Sequence, residues 1–120
     1  MEKNVVNFKD LIVWQKAMDL AVKIYELSNE LPKKEQFGII SQQCRAAVSI
    51  PSNIAEGHSR NSKGEFRQFL GYSNGSASEL ETLLILCDRL NYIDSVHANG
   101  LIVQLNEIQR MLNSLKRALK

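Results

Sequence analysis

Cysteine is scarce in this chain: Cys44 and Cys87 are the only two among 120 residues. Two cysteines exclude a disulfide framework and a four-cysteine zinc site. Proline is equally rare, at Pro32 and Pro51, and the six glycines are scattered, so no linker, low-complexity tract or internal repeat stands out. Long hydrophobic runs are missing too. The longest is Leu83-Leu84-Ile85-Leu86-Cys87, against the ~18–20 residues of a membrane span. Met1-Glu2-Lys3-Asn4-Val5-Val6-Asn7 has no apolar core of the kind a signal peptide carries. The expectation is a cytoplasmic protein with reduced thiols and no membrane partner. Nowhere does polar/apolar alternation bounded by turn residues announce a strand. Neither sign of charge dominates: 15 basic and 13 acidic residues leave a net charge of +2. That balance permits a nucleic-acid partner without demanding one.

What is present is helical periodicity. With 44% hydrophobic and 23% charged residues, residues 1–120 read as one globular domain. The first helix is expected over roughly Lys9 to Asn29. Leu11, Trp14, Met18, Ala21 and Tyr25 form one apolar stripe, and Ala17, Leu20, Ile24 and Leu27 form the next. Lys16, Asp19, Lys23, Glu26 and Glu30 leave only a narrow polar stripe between. A helix with one buried face is apolar over ~100°, and this one exceeds that. It is therefore expected to pack on its own bundle with one side and on another subunit with the other. Leu31-Pro32 ends it, since the residue before proline is pushed out of the α region.

A second helix is expected from about Lys34, through Phe37, Ile40, Cys44, Ala47, Val48, Ile54 and Ala55. Pro51 stands mid-pattern but the apolar phase resumes beyond it, so the reading is a kink rather than a stop. Ser49, Ser52 or Asn53 would satisfy the groups the proline frees. Gly57 to Ser62 is the turn, and Ser62-Lys63-Gly64-Glu65 fits a capping box. The third helix is expected to reach about Leu90 on a seam of Phe66, Phe69, Ser73, Ser76, Leu80, Leu83, Cys87 and Leu90. Its Gly-, Ser- and Ala-rich middle, Gly71 to Ser78, weakens an isolated helix but admits a neighbouring backbone. Asp94 or Ser95 caps the fourth helix, whose seam is Leu101, Leu105, Ile108, Leu112, Leu115 and Leu119. Both cysteines fall on apolar helix positions and read as core residues. Four helices with short connections predict an all-α, antiparallel up-down-up-down four-helix bundle.

The run Ser49-Ile50-Pro51-Ser52-Asn53-Ile54-Ala55-Glu56-Gly57, followed by Arg60, resembles the signature of the 23S rRNA intervening-sequence protein family, also called the four-helix bundle protein family. Further pieces lie in the same order: Leu11, Val13-Trp14-Gln15-Lys16-Ala17, then Gln42 with Arg45-Ala46-Ala47, then Gly75-Ser76 and Glu79-Leu80-Glu81-Thr82. Where many members carry two basic residues before the alanine, this chain has Cys44-Arg45. The resemblance implies a four-helix bundle that assembles as a ring-like homopentamer. It also implies a relation to the pentameric accessory proteins of diversity-generating retroelements, which bind nucleic acid and reverse transcriptase.

Read for chemistry, the chain offers little to an enzyme. A carboxylate di-iron bundle needs Glu-x-x-His on two helices, and neither His58 nor His97 has a glutamate three residues before it. No triad context surrounds the histidines, and Gly71-x-x-x-Gly75 lacks the Lys-Ser/Thr tail of a phosphate loop. No catalytic residue, cofactor, metal or small-molecule substrate is expected. The polar residues Arg45, Asn53, Glu56 and Glu79 read as a structural network fixing helix register, with a polar pocket or partner surface as the other reading. Arg60, Lys63 and Arg67 recur at helical spacing around a helix N-terminus, where cations are unfavourable, and so are the candidate phosphate contacts. Arg110, Lys116, Arg117 and Lys120 crowd a helix C-terminus, where cations complement the macrodipole without a ligand. The function expected is a non-enzymatic oligomeric scaffold engaging RNA, DNA or a nucleoprotein. The alternative is a protein-interaction module with no nucleic-acid role.

Overall fold

Amphipathic segments that are apolar on one side cannot stand alone in water, and burying those sides against one another gives a bundle. In the computed structural model, which describes residues 7–120, the chain forms α1 (Ile12–Ser28), α2 (Ile39–His58), α3 (Lys63–Arg89) and α4 (Ser95–Ala118), and no strand among the described residues. One core runs through all four. It is built on Leu20, Ile24 and Leu27 of α1, Ile50 and Ile54 of α2, Leu70, Leu80 and Leu84 of α3, and Leu105, Ile108 and Leu112 of α4. Polar pairs set the registers at its edges. Arg67 meets Leu119, Asn74 meets Asn113 and Glu81 meets Asn106, so partner numbers on α4 fall as those on α3 rise. Lys16 pairs with Glu107 at 3.5 Å and Lys23 bonds Gln104 at 2.9 Å across α1 and α4.

Helix starts differ from the sequence expectation at two places. A 3-10 turn over Phe8–Asp10 precedes α1, because the Asn7 carboxamide oxygen accepts from the Lys9 amide and stops the chain short of a helix there. Leu11 is then extended, and Phe8 turns back edge-on to Trp14 at 5.3 Å. The helix expected from Lys34 begins only at Ile39: Lys33–Glu35 is a separate 3-10 turn, and Gly38 leaves the helical region. The expected turn also starts two residues later, since α2 continues through Gly57 and His58. As the resumed apolar phase requires, α2 is unbroken through Pro51.

The caps follow the chemistry of their residues. Ser62 Oγ accepts from the Glu65 amide at 3.1 Å, but it also donates to Glu65 Oε1 at 3.3 Å, so the second half of the capping box lands on the hydroxyl. Asp94 accepts from the His97 amide at 2.8 Å to start α4. Asn91, at φ 61°, closes α3 in the left-handed region that asparagine tolerates. The amide of Tyr92 then donates to the Cys87 carbonyl and that of Asn91 to the Asp88 carbonyl, which is the Schellman arrangement.

The tightest approach is between α2 and α3. A Cβ on Gly57 would stand 2.7 Å from Phe69 Cβ and 3.2 Å from the Phe66 carbonyl oxygen. The buried Ser73 hydroxyl donates to the Ile50 carbonyl at 2.9 Å, and Ser76 donates to Ser49 at 2.8 Å. Gln43, fully buried, donates to Cys87 Sγ at 3.1 Å, while its Oε1 has no partner among the described residues. Burial pushes the Cys87 thiol above its ordinary pKa, which keeps it protonated in the core.

Two expectations test this packing. Alanine favours a helix over glycine by ~1 kcal/mol, yet at position 57 the added methyl must force two backbones apart. Gly57→Ala should therefore lower stability by about 1–3 kcal/mol, the usual cost of overpacking, read as a drop in the urea midpoint. The Tyr92 hydroxyl donates to Glu35 Oε2 at 2.9 Å, and that bond, with a smaller part from burial, raises the phenol above its ordinary pKa. The protonated phenol is thus favoured in the folded state. The stability it adds is complete below about pH 10, the unfolded value, and is lost as pH rises through the raised folded value. Urea curves of wild type and Tyr92→Phe should differ at pH 8, begin to approach one another above about pH 10 and converge only past the raised folded value.

Candidate functional site

Three surfaces are distinguishable by chemistry. The first lies where α3 begins and α4 ends. Arg67 Nη1 donates to the Leu119 carbonyl at 3.0 Å, which brings these two termini together. Lys63, Arg67, Lys116, Arg117 and Lys120 gather there with Arg60, while Glu56 and Glu65 supply the carboxylates of the connecting region. Gly64 and Gly71, two turns apart on α3, floor a shallow trough walled by Arg67, Gln68 and Lys116. Lys116 Nζ lies 3.7 Å from where a Cβ on Gly71 would be.

The three candidate phosphate contacts are not equally free. Arg60 pairs with Glu56 at 3.3 Å and its guanidinium lies 4.9 Å over the ring of Phe69. Arg67 is half-buried and caps α4. Lys63 is exposed, and it makes no side-chain bond or ion pair among the described residues. Lys116 is the residue of this surface that belongs beside them. Its C-terminal position has a sufficient local explanation in the helix dipole, so residue spacing offers no ground for singling it out.

The second surface is a polar cleft of about 540 Å³ between α2 and α3, lined by Phe37, Ser41, Gln42, Arg45, Ser49, Ser76 and Glu79 among others. Of the four residues expected to form a structural polar network, Arg45 and Glu79 line it and Asn53 and Glu56 do not. Arg45, Glu56 and Glu79 are exposed, and among the described residues no ion pair joins Arg45 to Glu79. Charged ends stay in water because burying them costs more than a pairing returns. Asn53 alone is partly internal, its Nδ2 donating to the Ser49 carbonyl and hydroxyl, both at 2.9 Å. Of the three residues expected to serve the groups freed by Pro51, Asn53 is the one bound to the backbone, and its acceptor is the carbonyl of Ser49.

The third surface is an apolar groove of about 390 Å³ between α1 and α2. Trp14, Met18, Ala21, Val22 and Tyr25 form one wall, and Val48, Pro51, Ser52 and Ala55 the other. Val22 is 56% and Tyr25 52% exposed. Of the stripe Leu11, Trp14, Met18, Ala21 and Tyr25, the bundle buries Ala21 and leaves Met18 and Tyr25 exposed beside Val22.

The histidines lie apart. His58 ends α2 against Phe66, ring centroids 5.7 Å apart, and His97 is exposed in the first turn of α4. Among the described residues no group of three or more His, Cys, Asp or Glu side chains is placed to hold a metal ion, and no helix is long and apolar enough to cross a membrane.

A cation that caps a helix differs measurably from one that waits for a ligand. Arg67→Ala should cost about 0.5–1 kcal/mol through loss of the charge–dipole interaction at the end of α4. Lys63→Ala should stay within about 0.5 kcal/mol of wild type, as unengaged surface residues do. Parallel urea titrations check both.

None of the curated proteins matches the sequence. Among solved structures, the chain is similar to a protein of unknown function from the S23 ribosomal protein family of Bacteroides thetaiotaomicron. The two share 28% identity and superpose with a TM-score of 0.82, over 88% of this chain and 98% of that one. The sequence also matches the 23S rRNA-intervening sequence protein family from residue 9 to residue 114, which takes in all four helices up to the last turn of α4. The chain belongs to the 23S rRNA-intervening sequence protein family.

Proposed function

We propose that this protein is a non-enzymatic scaffold that self-associates through the α1/α2 groove and engages RNA, DNA or a nucleoprotein through its cationic end. The observation that carries the second half is the convergence of Arg67 and Lys116 on a trough floored by glycines, with the exposed Lys63 next to Gly64 in the chain. Phosphates are bound by such repeated cations, and each contact releases counterions. Self-association multiplies the patch. In the ring of five that the family resemblance implies, each basic end would recur by symmetry, and weak contacts would act together. The self-association itself is supported by the groove: contiguous exposed apolar surface on a bundle marks a place where something else docks. The work of the assembly would lie in a cytoplasm, where the thiols stay reduced. Base-specific readout has no support, since no short recognition helix stands free for a major groove.

The second reading, a protein-interaction module without a nucleic-acid role, is favoured by a different fact. Arg60 and Arg67 both already have partners within the chain, in Glu56 and the end of α4. The two readings part in one titration. A labelled structured RNA and a labelled duplex DNA are titrated at several salt concentrations. Scaffold binding should weaken steeply, and Lys63→Glu with Lys116→Glu should flatten the slope of log K against log salt by roughly one for each phosphate no longer neutralised. No binding at low salt would leave the polypeptide-partner reading in its place.

A further inference from the structure

Phe37 is the most exposed large apolar side chain of the described residues, at 90%. It does not hang on a loose loop. The Glu35 amide donates to the Pro32 carbonyl, the Gln36 amide to Lys33 and the Gly38 amide to Glu35, all within 3.0 Å. The Glu35 carboxylate accepts from the Tyr92 hydroxyl at 2.9 Å and from the Ile39 amide at 3.4 Å, tying the turn to both α2 and the end of α3. A phenyl ring is thus held out in water on a pre-organised turn, the condition under which an aromatic anchor loses least entropy on docking.

The α1/α2 groove has complementary chemistry. Its lining is almost wholly apolar, and its volume of about 390 Å³ falls in the range that holds a whole small ligand, so it admits one ring with room for its neighbours. The ring cannot reach the groove of its own chain. Val48, the nearest groove residue of α2, lies nine residues beyond Ile39, or ~14 Å along the helix. The charges match as well. Lys33 and Lys34 lead into Phe37, while Asp19 and Glu26 border Val22 one turn before and one turn after it on the outer side of the groove. All four are exposed, and none has an ion-pair partner among the described residues.

We propose that Phe37 of one copy seats in the α1/α2 groove of a second copy, with Lys33 and Lys34 meeting that copy's Asp19 and Glu26. The proposal rests on the self-association reading above and specifies its geometry. Knob and groove lie at different places on the same chain, so the contact is head-to-tail, the kind that closes into a ring or runs on as a filament. A groove-to-groove pairing would instead be two-fold and stop at a dimer.

The test uses two full-length variants at exposed positions, each checked for helix content and melting by circular dichroism. Phe37→Ser lacks the knob and keeps the groove. Val22→Glu keeps the knob and places a carboxylate on the groove's rim. By light scattering at tens of micromolar, wild type should exceed the 13.6 kDa of one chain, and each variant alone should be monomeric. Their equimolar mixture should restore one contact and give a dimer at twice the chain mass. Undiminished assembly by Phe37→Ser would overturn the proposal and leave self-association standing with another occupant in the groove. Monomeric variants that fail to associate when mixed would overturn it too. A monomeric wild type would remove the self-association reading and the proposal with it.

Discussion

Everything else in this bundle is arranged around the close contact of α2 with α3. Two helices ordinarily pack 8–10 Å apart, and only small residues at the crossing let backbones come nearer. Here the small residues are Gly57, Ser49, Ser73, Ser76 and Ala77. Ser73 has no water to turn to, and a buried hydroxyl left unpaired costs about 1–3 kcal/mol. Its bond to the Ile50 carbonyl is therefore a condition of the packing. Leu80 and Leu84, seven and eleven residues on, share the face of Ser73, and with Leu70 they carry the buried core away from the pair along α3.

Apolar surface is left over on α1. A side chain on α1 has more apolar neighbours in the sequence than the bundle has places for. Ala17, Leu20, Ile24 and Leu27 fill the core, and the adjacent stripe meets α2 only at its edge. Four-helix bundles of monomers avoid this by making the second stripe polar. The charged residues of α1 instead occupy the third side, where Lys16 and Lys23 reach α4. The groove is thus written into α1 as strongly as the core is.

Much of this is legible in the order of residues alone. The helix count, a cap at Asp94 or Ser95, an end of the third helix at about Leu90 and the doubled stripe of α1 follow from residue spacing and cap chemistry. The departures have local causes. A 3-10 turn capped by Asn7 moves the start of α1 beyond Lys9, and a glycine at 38 interrupts an apolar pattern that runs straight through it. Of the seam expected for α3, Ser73, Leu80, Leu83 and Cys87 are buried, but Leu70, Ala77 and Leu84 of the adjacent stripe join them and Leu90 is exposed. Three- and four-residue steps can be threaded through either of two adjacent stripes, and periodicity does not choose. The Gly-Ser-Ala stretch does mark the close approach, but through its serines and alanine. Gly71 lies under Lys116, and Gly75 has nothing within 4 Å. At the site, spacing reveals residue types and not their partners, because whether Arg45 meets Glu79 or water depends on two side chains from different helices.

The segment Ser49–Gly57 combines these constraints in one stretch of helix. Ser49, Ile50 and Gly57 face α3 with bonds and contacts that leave no room for a larger group. Pro51, Ser52 and Ala55, on the other side, form the wall of the groove. Proline suits that wall: its ring presents apolar surface, and the amide it lacks is one fewer donor to satisfy beside a partner. Asn53, between the two sides, spends its carboxamide on the backbone and hydroxyl of Ser49 and so offers neither neighbour an unpaired donor. A single run of nine residues therefore sets both the separation of α2 from α3 and the shape of the apolar groove that the core does not fill. Shifting α2 to relieve strain on the first side would deform the second, which is why the smallest residues of the segment and its least helical one occur together.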